Sequence, residues 1–301
     1  MFEVVFKLIS FFYTYCNNFM SRIYDCFCYF NEDMLLELRL ETLWDHVDYF
    51  VICESVLTIS GLPKELYFDI NRFQKYKSKI RHLIVKDYPF DTADAWRNER
   101  WQRDYLINGL YDAKSDDWIM LSDVDEIPRP EVIQRYAPGL RKRGDFQQYI
   151  YAYYLNNRLQ EKTNQPAMWA GTKITTYSNL IKFFDRSMEK LRGYKLAGPL
   201  RGIRRAFFKT FLIQKISDGG WHFTWMAGVD KIIKKLESFA HQEFNKQEFK
   251  NPEKIKELIH SGKDVLFPEN QYEIQSLTEQ FPAYLVNNPE KFKEYLLRVD
   301  R

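Results

Sequence analysis

The sequence predicts an α/β fold: a mostly parallel sheet of Rossmann-like kind, flanked by helices. Three observations carry that prediction. Apolar runs at 23–30, 47–53, 80–85 and 118–122 have the length of buried strands rather than of helices. Stretches of helical character lie between them, and strands that alternate with helices build parallel sheets through crossover connections. The last of these runs breaks into carboxylates, at the end of a strand where open α/β sheets place their ligands.

The elements follow in order. Residues 2–15 are strongly apolar, yet shorter than the roughly 20 residues that cross a bilayer. Glu3 stands where a signal peptide would carry positive charge. Residues 1–21 are therefore expected to form a first helix, packed on the domain or lying against a membrane surface or an oligomer partner. A strand over 23–30 leads to a helix running to Asp45, with Asn31 as its cap and Leu35, Leu36, Leu38, Leu40 and Leu43 on its apolar side. The run at 47–53 is a second strand with Glu54 at its carboxyl end, and 80–85 a third. Residues 94–113 read as one long helix carrying Arg97, Arg100 and Arg103 three apart, either a solvated stripe or a clamp for phosphate oxygens.

Residues 118–128 are the centre of the reading. An apolar strand is followed by Asp123, Asp125 and Glu126, then by Pro128. On an extended backbone Asp123 and Asp125 would share a face, and two neighbouring carboxylates repel unless a cation joins them. Magnesium and manganese favour such hard oxygen ligands, with substrate phosphates filling other positions.

Beyond a short helix after Pro130, residues 146–155 form an aromatic strand, and 156–200 read as polar and irregular up to the Gly198-Pro199 turn. Arg201, Arg204, Arg205 and Lys209 follow, either a solvated edge or a contact for an anionic acceptor or membrane. At 218–225, Gly219-Gly220 reads as a turn allowing close backbone approach, and Trp221 and Trp225 offer apolar walls. His222 sits among them and can complete the coordination of a manganese held by Asp125. Residues 228–244 have the spacing of an amphipathic helix, with Glu237 and His241 four apart, an ordinary surface pair or the acid/base pair that sugar transfer requires. From about 246 to 301 the chain reads as a helical extension covering the core, which leaves 22–245 as the main domain.

The bulk properties narrow the function. Charged residues make up 28% and the net charge is +3, so there is no strongly basic face for nucleic acid. Much of the aromatic content of 20 Tyr, 24 Phe and 7 Trp is core material, and the excess weakly favours a carbohydrate ligand, since sugar clefts also use aromatic faces. The four cysteines, Cys16, Cys26, Cys28 and Cys53, lack zinc-ligand spacing and are expected to be reduced.

Several blocks together resemble one family. They are 23–27 with 30–32, 51–55, Ser60-Gly61, 98–103, 122–128, and 220–223 continuing through 235–243. In this order they are similar to glycosyltransferase family 17, the family of the bisecting N-acetylglucosaminyltransferases. The resemblance covers about residues 22–245. It implies a GT-A type fold, a nucleotide-sugar donor, a divalent metal (Mn2+ or Mg2+) and inversion at the anomeric carbon. It implies that Asp123 and Asp125 are the metal and diphosphate motif, with Asp123 also touching the donor. Glu54 falls where such folds contact the base or ribose, and His222 where a late residue joins the metal. Arg97, Arg103 and Trp221 complete the expected donor contacts.

The expected reaction moves a sugar, most simply N-acetylglucosamine from UDP-N-acetylglucosamine, to a glycan hydroxyl. Glu237, Asp218 and His241, in that order, are the candidate bases. Animal members carry a membrane anchor and stem that this sequence does not show. The expected setting is therefore cytoplasmic, with membrane contact through residues 2–15 and a lipid-linked, cell-surface or virion glycan as acceptor. Two other functions compete. One is a non-catalytic glycan- or nucleotide-sugar-binding protein of the same fold; the other is a metal-dependent phosphoryl-transfer enzyme, which calls for a second acid cluster not seen here.

Overall fold

The computed structural model describes residues 21–90, 94–139, 141–193, 208–226, 250–265 and 270–298, with single positions at 202, 206, 228, 233 and 267. The expected helix over 1–21, the Gly198-Pro199 turn, Arg201, Arg204 and Arg205 lie outside the described residues. So do Glu237 and His241 and, but for two single positions, the helix expected over 228–244.

The first half of the chain alternates as expected. Strand β1 (Ile23–Cys28), helix α1 (Asp33–Leu43), β2 (Tyr49–Ser55), β3 (Ile80–Val85), helix α2 (Ala95–Tyr105) and β4 (Trp118–Asp123) come in that order. β1 pairs in parallel with both β2 and β4, and β2 with β3. Side chains alternate across these strands, and helices cover both faces. Phe27, Phe50, Ile52 and Met120 pack with Leu36, Leu40 and Leu43 of α1 on one face. Cys26, Val51, Ile119 and Leu121 pack with Leu106 and Leu110 on the other. Gly109 is needed there, because a Cβ would stand 2.3 Å from Val51 Cγ1.

Two details of this half differ from expectation. Asn31 does not cap α1; it takes a left-handed turn (φ 62°) ahead of it, and no side chain caps the helix. The helix expected over 94–113 is α-helical only to Tyr105 and then tightens into a 3-10 turn over Leu106–Leu110, which lets the chain dip toward β4.

The second half is antiparallel for the most part. β5 (Glu126–Pro128), helix α3 (Pro130–Ile133), β6 (Arg143–Ala152), β7 (Asn157–Gln160), β8 (Met168–Thr176), helices α4 (Tyr177–Lys182) and α5 (Met188–Arg192), and β9 (Ile213–Thr224) follow. With β10 (Gln271–Ile274) at one edge, the sheet runs β10-β7-β6-β8-β4-β1-β2-β3, with β9 pairing both β5 and β6. The α/β, GT-A type class stands, with β1 to β4 parallel on one side of the sheet and β6 and β9 forming a second parallel pair on the other.

The stretch expected to be irregular contains β8, which lies between β4 and β6 in the centre of the sheet. Its pattern is exposed for three residues and then continuously buried, so no alternation marks it in the sequence. Gly219-Gly220 is likewise no turn but the interior of β9. Added Cβ atoms would stand 2.6 Å from Gln147 N and 2.3 Å from Ile127 O, so two neighbouring backbones crowd this strand.

The last segment is less helical than expected. Between α6 (Pro252–His260) and α7 (Ala283–Asn287) it contributes β10 (Gln271–Ile274), an edge strand on β7. Phe281, Leu285 and Phe292 pack against Leu35, Leu38 and Trp221, which ties the C-terminal segment to α1 and β9. Cys26, Cys28 and Cys53 are free thiols.

Candidate active site

The site forms where β4 ends. Asp123 closes the strand, Val124 and Asp125 turn the chain, and Glu126 opens β5. β5 lies antiparallel to β9 with Glu126 opposite His222, and the Phe223 amide donates to the Asp125 carbonyl at 2.8 Å. Register thus brings a residue about a hundred positions away beside the acids.

One arginine holds this turn from inside the protein. Arg39 of α1 is fully buried and pairs with both Asp25 oxygens, at 2.7 and 2.5 Å. It also donates to Ser122 Oγ at 2.6 Å and to the carbonyls of Asp123, Val124 and Glu126 at 3.1, 3.3 and 2.9 Å. Every backbone carbonyl it holds belongs to the turn. Such saturation is what makes a buried charge tolerable.

A second arginine covers the turn from outside. Arg192, the last residue of α5, reaches Asp123 Oδ2 at 2.6 Å and both Glu126 oxygens at 3.0 and 3.1 Å. Its helix end is fixed by Arg143, which donates to the Leu191 carbonyl at 2.7 Å while paired with Asp145. Arg103 of α2 stands 3.9 Å from Asp123 Oδ1 and is tied to Glu99 and Glu189 at 2.6 and 2.5 Å. Burial opposes the charge of Arg192, but Asp123, Glu126 and Asp125 together more than offset it and hold the guanidinium protonated. Burial likewise opposes ionisation of Glu126, yet Arg192, His222 and the Trp169 indole keep its carboxyl well below the ordinary range.

Asp125 faces His222 instead. Its Oδ2 lies 3.8 Å from His222 Nε2, too far for a hydrogen bond. Asp125 and His222 offer one hard oxygen and one imidazole nitrogen, donors that would suit a divalent cation there. His222 Nδ1 is buried with no hydrogen-bond partner among the described residues, so no bond there fixes which ring nitrogen carries the proton. Carboxylate plus imidazole therefore suits one cation completed by phosphates and water. No group of three or more His, Cys, Asp or Glu stands together as metal ligands among the described residues.

The other expected site residues are distributed as follows. Arg103 joins the cluster, whereas Arg97 is exposed and lies over the Phe90 ring at 3.9 Å. Trp221 is buried in the core, its indole donating to the Gln280 carbonyl and its ring under Arg129. Strand alternation sends it to the face opposite His222. Asp218 pairs with Arg129 at 3.1 Å. Glu54 is buried at the end of β2, accepting from Lys64 at 2.9 Å and from the amides of Tyr67 and Phe68 at 2.6 and 3.1 Å. Burial works against its charge, but His82, these amides and Lys64 draw its pKa down to about 2. Glu54 thus ties the 56–68 loop to the carboxyl end of β2.

Arg192 and Trp169 are the members that sequence reasoning missed. Both lie in the stretch read as irregular, and neither has a neighbouring motif to mark it. Among the described residues, no helix is long and apolar enough to cross a membrane.

Known proteins bear on this arrangement. The chain is 24% identical over 304 residues to the β-1,4-mannosyl-glycoprotein 4-β-N-acetylglucosaminyltransferase of Rattus norvegicus, covering 87% of this chain and 52% of that protein. The enzyme of the same name from Homo sapiens matches at 24% with the same coverage. The chain therefore spans about half the length of the curated relatives it matches. A glycosyltransferase structure from Streptococcus pneumoniae aligns with a TM-score of 0.36 and 9% identity over 66% of this chain and 46% of that one, too loose a likeness to bear on the site. The family profile is more telling: it runs from residue 11 to 177, more than half of the sequence, and takes in β1, β2, β4 and the whole acid turn. On that match, the chain belongs to glycosyltransferase family 17.

Proposed function

We propose that this chain transfers a sugar from a nucleotide-sugar donor to a glycan hydroxyl, and that the donor's diphosphate binds over the acid turn. The observation that carries the reading is the convergence of Asp123, Asp125 and Glu126 with Arg103, Arg192 and His222 at one strand end. Two guanidinium groups give phosphate oxygens partners of matching geometry. Asp125 and His222 are the residues that would hold a divalent cation, manganese or magnesium, with Asp123 on its border. Such an ion supplies positive charge to the departing diphosphate.

The finer reading is UDP-N-acetylglucosamine as donor and inversion in a single displacement. It rests on the family and on the names of the relatives. Direct inversion needs a base within hydrogen-bond reach of the acceptor hydroxyl. Glu237 is the preferred base, with Asp218 and His241 behind it. Glu54 is assigned to shaping the nucleotide pocket through the 56–68 loop. Lipid-linked, cell-surface and virion glycans are the acceptor classes to screen.

The test is a panel of nucleotide sugars with manganese, read by calorimetry and by slow donor hydrolysis. UDP-N-acetylglucosamine is expected to bind and turn over, and Asp125→Asn to abolish turnover. Equal hydrolysis by wild type and Asp125→Asn would remove the site from consideration.

A further inference from the structure

Trp169 is placed as no core tryptophan is. It sits near the start of β8 with 42% of its surface exposed. Its indole N–H donates to Glu126 Oε1 at 2.6 Å, and its ring stacks on His222 with centroids 5.5 Å apart and planes 30° apart. Gly171, on the same face of β8, permits this pose: a Cβ there would stand 3.0 Å from Trp169 Cδ1 and 1.7 Å from Gln148 Oε1. The ring's polar atom is satisfied and one face is covered, so the outward face is a rigid apolar plate beside carboxylates.

The geometry points to a pyranose-binding subsite on that face, with the sugar's C–H surface laid on the indole and its hydroxyls turned to the acids. A sugar ring is apolar on its faces and rich in donors at its rim, and a flat ring next to carboxylates offers the complement of both. A nucleobase also stacks on aromatic rings, but the position disfavours it. Glu126 bridges Trp169 and Arg192, so the plate lies one side chain from the guanidinium. What adjoins a diphosphate at that range is a sugar, with the base one ribose further away. This inference rests on the glycosyl-transfer reading above. The same chemistry has two sources, the donor's own sugar and the acceptor's.

The test compares wild type with Trp169→Ala and Trp169→Phe, using UDP, UDP-N-acetylglucosamine, and the methyl glycosides of N-acetylglucosamine and mannose. Calorimetry reads the nucleotides, saturation-transfer NMR the glycosides, and thermal melts confirm folding. If the donor sugar lies on the plate, Trp169→Ala weakens UDP-N-acetylglucosamine at least about tenfold while UDP is unaffected. If the acceptor sugar lies there, both nucleotides bind as before and saturation transfer to a glycoside is lost. Trp169→Phe, which keeps a ring but no N–H, retains most of the binding in either case. Tyr111→Ala, an exposed aromatic before β4, leaves every reading unchanged. Unchanged ligand binding in folded Trp169→Ala overturns the subsite, as does equal loss of UDP and UDP-N-acetylglucosamine, which would leave the indole only a support for Glu126. If wild type binds no nucleotide, the glycosyl-transfer reading fails, and the glycoside measurement alone still decides whether the plate takes a sugar.

Discussion

Arg39 and Arg192 grip the same four-residue turn from opposite sides, and they do so differently. Arg39 is sealed beneath it with acceptors on every side, half of them backbone carbonyls that cannot leave. Arg192 lies above it and holds only carboxylates, one of them, on Asp123, with 43% of its side chain exposed. The inner arginine makes the turn rigid. The outer one balances charge, and under the proposed function phosphate oxygens would take over its hydrogen bonds. That reading needs both, since acids must be held in register before a ligand arrives and their charge must be matched while it is absent.

The comparison is most easily broken at Arg39. Arg39→Met leaves Asp25 buried without a counter-charge and frees three carbonyls, so a loss of about 3–5 kcal/mol is expected in urea unfolding. A loss near zero would mean that the turn is not held from below. Next comes Asp125→Asn, which keeps the shape but not the charge. Donor turnover should fall at least about a hundredfold with little change in melting temperature, and added manganese should not restore it.

Glu54→Gln sharpens the contrast with a buried acid held by Lys64 and two backbone amides. It should destabilise the fold by about 2 kcal/mol at neutral pH, because Lys64 and two amides lose a charged acceptor. The sign with pH follows from its depressed pKa. Glu54 contributes fully above the unfolded value of 4.5 and loses that contribution as pH falls toward about 2. The wild-type stability advantage over Glu54→Gln should therefore shrink across that window in acid melts.

Arg192→Gln is expected to perturb the fold less than Arg39→Met or Glu54→Gln. Its cost should be about 1–2 kcal/mol, less than for Arg39, since Glu126 keeps two other donors and can take up a proton. UDP affinity should fall about tenfold, and its salt dependence should weaken with it. If Arg192→Gln costs more stability than Arg39→Met, the two roles are reversed.

Legibility in the sequence followed the same divide. Strands β1 to β4 and the acids at their end were readable because each is a local pattern: an apolar run, a length, a change to charge. β8 was not, because its nine residues are exposed at one end and buried on both faces at the other. Trp221 was read as a wall and proved to be core, since the parity of β9 aims it away from His222. The ring that does stand beside His222 and Glu126 is Trp169, on β8.

Local chemistry alone fixed the extended runs of β1 to β4 and the gathering of carboxylates at the end of β4. Tertiary structure decided what meets them. His222 arrives through antiparallel register, Trp169 through a strand inserted between β4 and β6, and Arg192 through a short helix anchored by Arg143. The reason is physical: side-chain type and spacing set local conformation, whereas partners far apart in sequence are chosen by sheet order and by the need to neutralise buried charge, which only the folded chain satisfies.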